Sequence, residues 1–236
     1  KELLSSSHID GDDTVLRVLA PGAGKTKIAR LWVYARDGSG YGSEAAKIIC
    51  YYYSPDRKGI RPQTHLANYQ GVLHADAYSG YNKLYSDQQI SEAACWAHAR
   101  RKFYEVIIAN NKAEIASKIL QQISKIYDLE ELVRGKTREA RLAMRQQHTK
   151  PLWEKLFKEF KYHKQDLPSK RATVKAINYA LNHQSSLLRF LNDDTIEIDN
   201  NIASRAMRPI ALGRKNYLFA GSDEGGETAA NIYSII

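Results

Sequence analysis

A chain of 236 residues that is 43% hydrophobic, with three Trp, fifteen Tyr and five Phe, can bury a sizeable core, which excludes general disorder. Two cysteines exclude a disulfide framework or a four-cysteine zinc site, while the absence of any long apolar run and the polar, Ser-rich residues 1–7 predict a cytoplasmic protein with no membrane partner. The formal charge of +9 favours a polyanionic partner, because each neutralised phosphate releases condensed counterions, but charge alone does not separate nucleic acid from a lipid surface.

In chain order, β-branched and aromatic runs predict strands at 7–12, 15–19, 30–36 and 47–54, with a turn at Arg36-Asp37-Gly38-Ser39-Gly40. A short helix at 65–69 after Pro62 and a strand at 71–76 complete an α/β opening. From Trp96 to Leu191 the period becomes helical: Ile115, Ile119, Ile123 and Ile126 share a face, as do Leu152, Leu156 and Phe160, and then Val174, Ile177, Leu181 and Leu188. Ile196-Glu197-Ile198-Asp199 alternates like a strand, 202–207 reads as helix up to Pro209, and 226–236 reads as a helix that stops without a cap, so that the chain is expected to be a fragment.

Two acids stand at predicted strand ends: Asp12 in Gly11-Asp12-Asp13-Thr14, and Asp76 in His74-Ala75-Asp76-Ala77-Tyr78. Carboxylates on neighbouring strand ends are what a two-metal phosphoryl-transfer site requires, although Asp is also common wherever a strand meets a turn. Gly24-Lys25-Thr26 is not a phosphate loop, because Leu19 stands where that pattern needs its first glycine. Cys95-Trp96-Ala97-His98 holds two zinc-type ligands without a second pair, which favours a packed Cys and a hydrogen-bonded His. Arg205, Arg208, Arg214 and Lys215 gather positive charge after the cap signal Asp199-Asn200-Asn201; beside a carboxylate site such a group becomes a phosphate track.

Together these segments resemble the insertion sequence 66 family of transposases. The matching phrases are Leu31-Trp32-Val33-Tyr34, Tyr53-Ser54-Pro55-Asp56-Arg57-Lys58-Gly59, Asp76-Ala77-Tyr78-Ser79-Gly80-Tyr81, Cys95-Trp96-Ala97-His98-Ala99-Arg100-Arg101, Ile196-Glu197-Ile198-Asp199-Asn200-Asn201, and Arg208-Pro209-Ile210-Ala211-Leu212-Gly213-Arg214-Lys215-Asn216. The resemblance implies an RNase H-like mixed-sheet core of α/β class, carrying Asp, Asp and Glu, with a large all-helical insertion between the second Asp and the Glu. It divides the chain into a first part of the core at 1–95, the insertion at 96–192, and the remainder of the core at 193–236. Asp12 matches the first acid, with Asp37 the runner-up, and Asp76 matches the second. Two Mg²⁺ or Mn²⁺ ions between them are the implied cofactors. DNA, as transposon ends and target, is the implied partner, with a homo-oligomer in the synaptic complex. Arg100, Arg101, Arg205, Arg208, Arg214 and Lys215 are the expected DNA contacts, with Trp96 as a further guide, while Cys95, His98, Asn200 and Asn201 take structural roles near the site.

One departure stands out. The family phrase Asn-Asn-x-Ala-Glu-Arg reads Asn200-Asn201-Ile202-Ala203-Ser204-Arg205 here, so Ser204 replaces the third acid. A hydroxyl brings no charge to offset a dication, and an impaired site is expected. Glu197, Asp199 and Glu227 are the candidate substitutes. Rival expectations are a degenerate DNA-binding fragment without catalysis and an RNase H-like nuclease. The enzymatic reading requires Asp12 and Asp76 to lie side by side.

Overall fold

The structure is a computed structural model that describes residues 2–86 and 89–235. The chain forms two compact units: Lys1–Asp37, Ala45–Glu92 and Asn200–Ile236 make the first, and Gly38–Glu44 with Ala93–Asp199 the second. The class is α/β, a five-stranded mixed sheet with a helical insertion. Among the described residues no helix is long and apolar enough to cross a membrane.

The strands are β1 (His8–Val18), β2 (Lys27–Arg36), β3 (Ile48–Ser54), β4 (Gly71–Ala75) and β5 (Ile90–Ala94), in the order β3-β2-β1-β4-β5. Two short helices, α1 (Ile60–His65) and α2 (Asn82–Ser86), lie between strands of the first unit. The second unit holds α3 (Trp96–Ala109), α4 (Glu114–Leu132), α5 (Arg138–Met144), α6 (Lys150–Asp166), α7 (Ala172–Asn182) and α8 (Gln184–Leu187). The chain then returns to the first unit with α9 (Asn201–Ala206), α10 (Arg208–Asn216) and α11 (Asp223–Ile235).

β1 pairs antiparallel with β2 and parallel with β4, and β2 pairs antiparallel with β3. Alternation decides what each face of this sheet buries. Leu16, Val18, Leu31, Val33 and Tyr51 point to one face, beneath Ala203 and Ala206 of α9, Met207, Ile210 of α10 and Ala230 of α11. Ile9, Trp32 and Tyr34 point to the other, with Leu66, Tyr69, Leu73 and Tyr81. Ile236, read from sequence as part of the last helix, lies outside the described residues.

Three sequence expectations are corrected. The runs 7–12 and 15–19 are one strand: Asp12 pairs with Val33 and Asp13 with Trp32, so the supposed turn at Gly11-Asp12-Asp13-Thr14 is an unbroken ladder, held by the buried β2 partners. The helix expected at 65–69 is instead α1, because Pro62 sits in the first turn, where its missing N–H leaves nothing unsatisfied. Residues 196–199 form no strand; Ile196 and Ile198 are buried in an irregular segment, which reproduces the alternation without a ladder. The helix read at 202–207 up to Pro209 is α9, and Pro209 lies in the first turn of a further helix, α10, after a break at Met207. The strand β5 and the short helix α2 carried no clear sequence signal.

In the second unit the apolar faces follow the helical period with one rotation: Trp153, Leu156, Phe157 and Phe160 are buried on α6, while Leu152 is exposed. Trp96 stacks on Trp153 with ring centroids 3.7 Å apart, and both are fully buried, so Trp96 is a core residue and not a guide for DNA. Between α5 and α6 lies a π-helical turn, Arg145–Thr149. It carries Arg145 inward to pair with Glu130 at 2.8 Å and to donate to the carbonyls of Phe190 and Asp193.

Candidate active site

The pleat of β1 sends His8, Asp10 and Asp12 to one face and Gly11 and Asp13 to the other. β1 runs parallel to β4 with Asp10 opposite His74, and continuing that register by two residues sets Asp12 level with Asp76, just past the end of β4. The two carboxylates interact: burial chiefly, and then the charges of Asp76 and Asp13, push the Asp12 carboxyl up to about 6. Two hydrogen bonds oppose this. The Asp13 N–H donates to Asp12 Oδ1 at 2.8 Å, and the Ser204 hydroxyl donates to Asp12 Oδ2 at 3.3 Å.

Ser204 reaches this point because Asn200, fully buried at the start of α9, donates its side-chain amide to the Gly11 carbonyl at 2.7 Å. One helical turn separates Asn200 from Ser204, so the same contact that anchors α9 to β1 aims the hydroxyl at Asp12. The structure therefore brings Asp12, Asp76 and Ser204 together, with Asn200 as the anchor.

Sequence reasoning did not single out the neighbouring ion network. Asp13 lies on the opposite face, where Arg57 grips it bidentately, Nη2 donating to Oδ1 at 2.7 Å and Nε to Oδ2 at 3.1 Å, and Arg30 adds a contact at 3.1 Å. Arg57 also reaches Asp76 Oδ2 at 3.4 Å, so one guanidinium spans two carboxylates. Tyr78 supports it, with the guanidinium 4.0 Å from the ring centroid and the phenol donating to the Arg57 carbonyl. The loop that delivers Arg57 is itself fixed: Trp32 donates to Ser54, Ser54 to the Asp56 carbonyl, and Arg61 grips the Asp56 carboxylate. Hydrogen bonding from Arg61, and then from the Lys58 N–H, holds the Asp56 carboxyl down at about 2. The signal was available in Tyr53-Ser54-Pro55-Asp56-Arg57-Lys58-Gly59, a phrase whose residue roles only the fold reveals.

The other candidates sit as follows. Asp37 follows β2 and lies 3.8 Å from Lys47. Glu197 is 3.0 Å from the buried Arg141 within the helical unit, and Asp199 is buried there too. Glu227 is exposed on α11, which packs on β3, two strands away from β1 in the sheet. Arg205, Arg208 and Lys215 are exposed on α9 and α10, whereas Arg214 donates to the Val15 carbonyl at 2.6 Å and is tied to the sheet. Arg100 and Arg101 are exposed on α3; Cys95 is buried just before that helix and His98 half-buried within it. Asn201, the first residue of α9, is exposed.

The family model described as "Transposase IS66 family" matches residues 1–228. Among curated proteins, the chain is 39% identical to "Uncharacterized protein y4qI" over 236 residues, covering 97% of this chain and 44% of that protein. It is 35% identical to "Uncharacterized protein y4jD" over 238 residues, covering 98% and 46%. Both relatives come from Sinorhizobium fredii (strain NBRC 101917 / NGR234), and the chain spans under half of the length of either. With one family model running along nearly all of its length, the chain belongs to the IS66 family of transposases.

Proposed function

We propose that this chain is the catalytic core of a DNA transposase whose metal site is crippled at its third position. The observation that carries the reading is the convergence of Asp12, Asp76 and the Ser204 hydroxyl, with Asp12 and Asp76 close enough for their charges to interact. The strand order β3-β2-β1-β4-β5, an antiparallel meander followed by a parallel neighbour, supports an RNase H-like core.

The donor set suits Mg²⁺ or Mn²⁺, which prefer carboxylate oxygen. A half-buried aspartate held neutral up to about pH 6 partly by a neighbouring carboxylate is a group that a dication relieves, so Asp12 and Asp76 are the residues to hold it. When bound, such ions supply Lewis acidity and charge neutralisation for phosphoryl transfer. Ser204 donates a hydrogen bond to Asp12, which orients that carboxylate but brings no negative charge of its own. Arg57 balances Asp13 on the opposite face and also reaches Asp76. Exposed Arg205 and Arg208 supply cations along α9 and α10 for a phosphate backbone.

Ser204→Glu in the full-length protein tests the proposal. Strand cleavage and transfer of a transposon-end oligonucleotide with Mn²⁺ should rise at least about 100-fold, because each ~1.4 kcal/mol of transition-state stabilisation is worth tenfold. The neutral Ser204 also favours a second reading, a DNA-binding fragment without catalysis. Unchanged turnover in the Ser204→Glu protein, with DNA binding intact, would select that reading instead.

A further inference from the structure

A second cluster lies deeper on the same face of β1. We propose that His8, Asp10 and His74 form a site for a divalent transition metal of the zinc class, distinct from the Asp12–Asp76 pair. Asp10 is 1% exposed, His74 fully buried and His8 nearly so. Among the described residues, neither oxygen of Asp10 and neither ring nitrogen of His74 makes a hydrogen bond, which is costly for a carboxylate and an imidazole withdrawn from water.

The geometry accounts for that deficit. His74 Nδ1 lies 3.3 Å from Asp10 Oδ1, and His8 Nε2 lies 3.7 Å from Asp10 Oδ2. The first distance is short enough for a hydrogen bond, yet the pair does not make one, which leaves both atoms available to a shared ion. One ligand atom from each of the three side chains falls within 4.8 Å of the others. Tetrahedral coordination with ~2.0–2.1 Å metal–ligand bonds separates neighbouring donors by about 3.3 Å, which is the spacing seen between His74 and Asp10.

Chemistry then sorts the two sites. Two imidazoles and one carboxylate favour zinc, cobalt or nickel over magnesium, whereas the carboxylate pair of Asp12 and Asp76 favours the harder ions. Because His8 and Asp10 belong to β1 and His74 to β4, a bound ion would pin together the two strands that carry the acidic pair. It would sit two residues back along each strand, about 6.6 Å from their level.

The test uses the full chain prepared without a histidine tag, stripped with chelator and reloaded with Zn²⁺ or Co²⁺ in excess Mg²⁺. Gel-filtered protein should retain about one zinc per chain, melt at a higher temperature than the stripped form, and with Co²⁺ show the visible absorption of low-coordinate cobalt. His74→Gln should weaken zinc binding at least about 100-fold, while Asp12→Asn with Asp76→Asn leaves it unchanged. Should His74→Gln fail to fold, His8→Gln at the less buried edge of the cluster replaces it. Wild-type protein that keeps no zinc and gains no thermal stability overturns the proposal. So does full retention of zinc in folded His74→Gln or His8→Gln chains.

Discussion

Asp12 stands among groups that pull its proton in opposite directions, and the outcome can be titrated. Its carboxyl is pushed up to about 6 from the ordinary 3.8, chiefly by burial. The folded chain thus holds this proton more tightly than the unfolded chain does, so the associated stability is complete below about pH 3.8 and is lost as pH rises through about 6. In metal-free buffer, Asp12→Asn should therefore be more stable than the wild type at pH 7.5 by about 1–3 kcal/mol, with the two converging near pH 4. Thermal denaturation across this range checks the sign; a variant less stable at pH 7.5 would contradict it. Asp12, Asp76 and Ser204 could be singled out because each stands where the resemblance expects one of three acids. Asp13 and Arg57 were not, since their pairing joins residues 44 positions apart across a loop whose path the sequence does not state. Asp10 and His74 stayed hidden for a different reason: they meet only through the parallel register that sets Asp10 of β1 opposite His74 of β4, which neither strand's own sequence states.

Elements show the same division. Periodicity located the helical block because apolar residues recur every three or four positions, and Ile119, Ile123 and Ile126 are indeed buried on α4. Periodicity cannot announce a buried charge, and Glu130 and Arg145 both look like solvent-facing positions. In the fold they are 6% and 0% exposed and pair at 2.8 Å, with Arg145 also 5.0 Å from the centre of the Phe190 ring. Arg145→Met, which strands Glu130, should cost about 3–5 kcal/mol in urea denaturation, and adding Glu130→Met should recover much of it. A single variant as stable as the wild type would show that this pair does not hold the helical unit together. The ladder of β1 was misread because Gly and Asp in succession are ordinary turn chemistry, and only the apolar partners in β2 override it.

For the whole molecule, a charge of +9 pointed to polyanions but not to where they would lie. Folding sorts the basic residues: Arg214 and Arg57 bind the chain itself, whereas Arg205, Arg208 and Lys215 remain exposed on α9 and α10. Replacing Arg205 and Arg208 together by Ala should weaken binding of duplex DNA without regard to its sequence. The slope of log affinity against log salt should fall by about 2, one for each phosphate no longer neutralised. Fluorescence anisotropy at several salt concentrations measures this, and an unchanged slope would show that DNA runs elsewhere. The same two substitutions leave Asp12, Asp76 and Ser204 untouched, which separates weakened grip from weakened chemistry.

The stacked indoles of the helical unit give the two compact units separate optical signatures. Trp96 and Trp153 lie close enough for their excited states to mix, which should produce a circular-dichroism couplet that vanishes in Trp153→Phe. Trp32, buried in the sheet unit, reports alone through its emission once Trp96 and Trp153 are replaced by Phe. Following both signals through matched denaturant titrations would reveal whether the inserted helices melt in step with the strands or as an autonomous cooperative block.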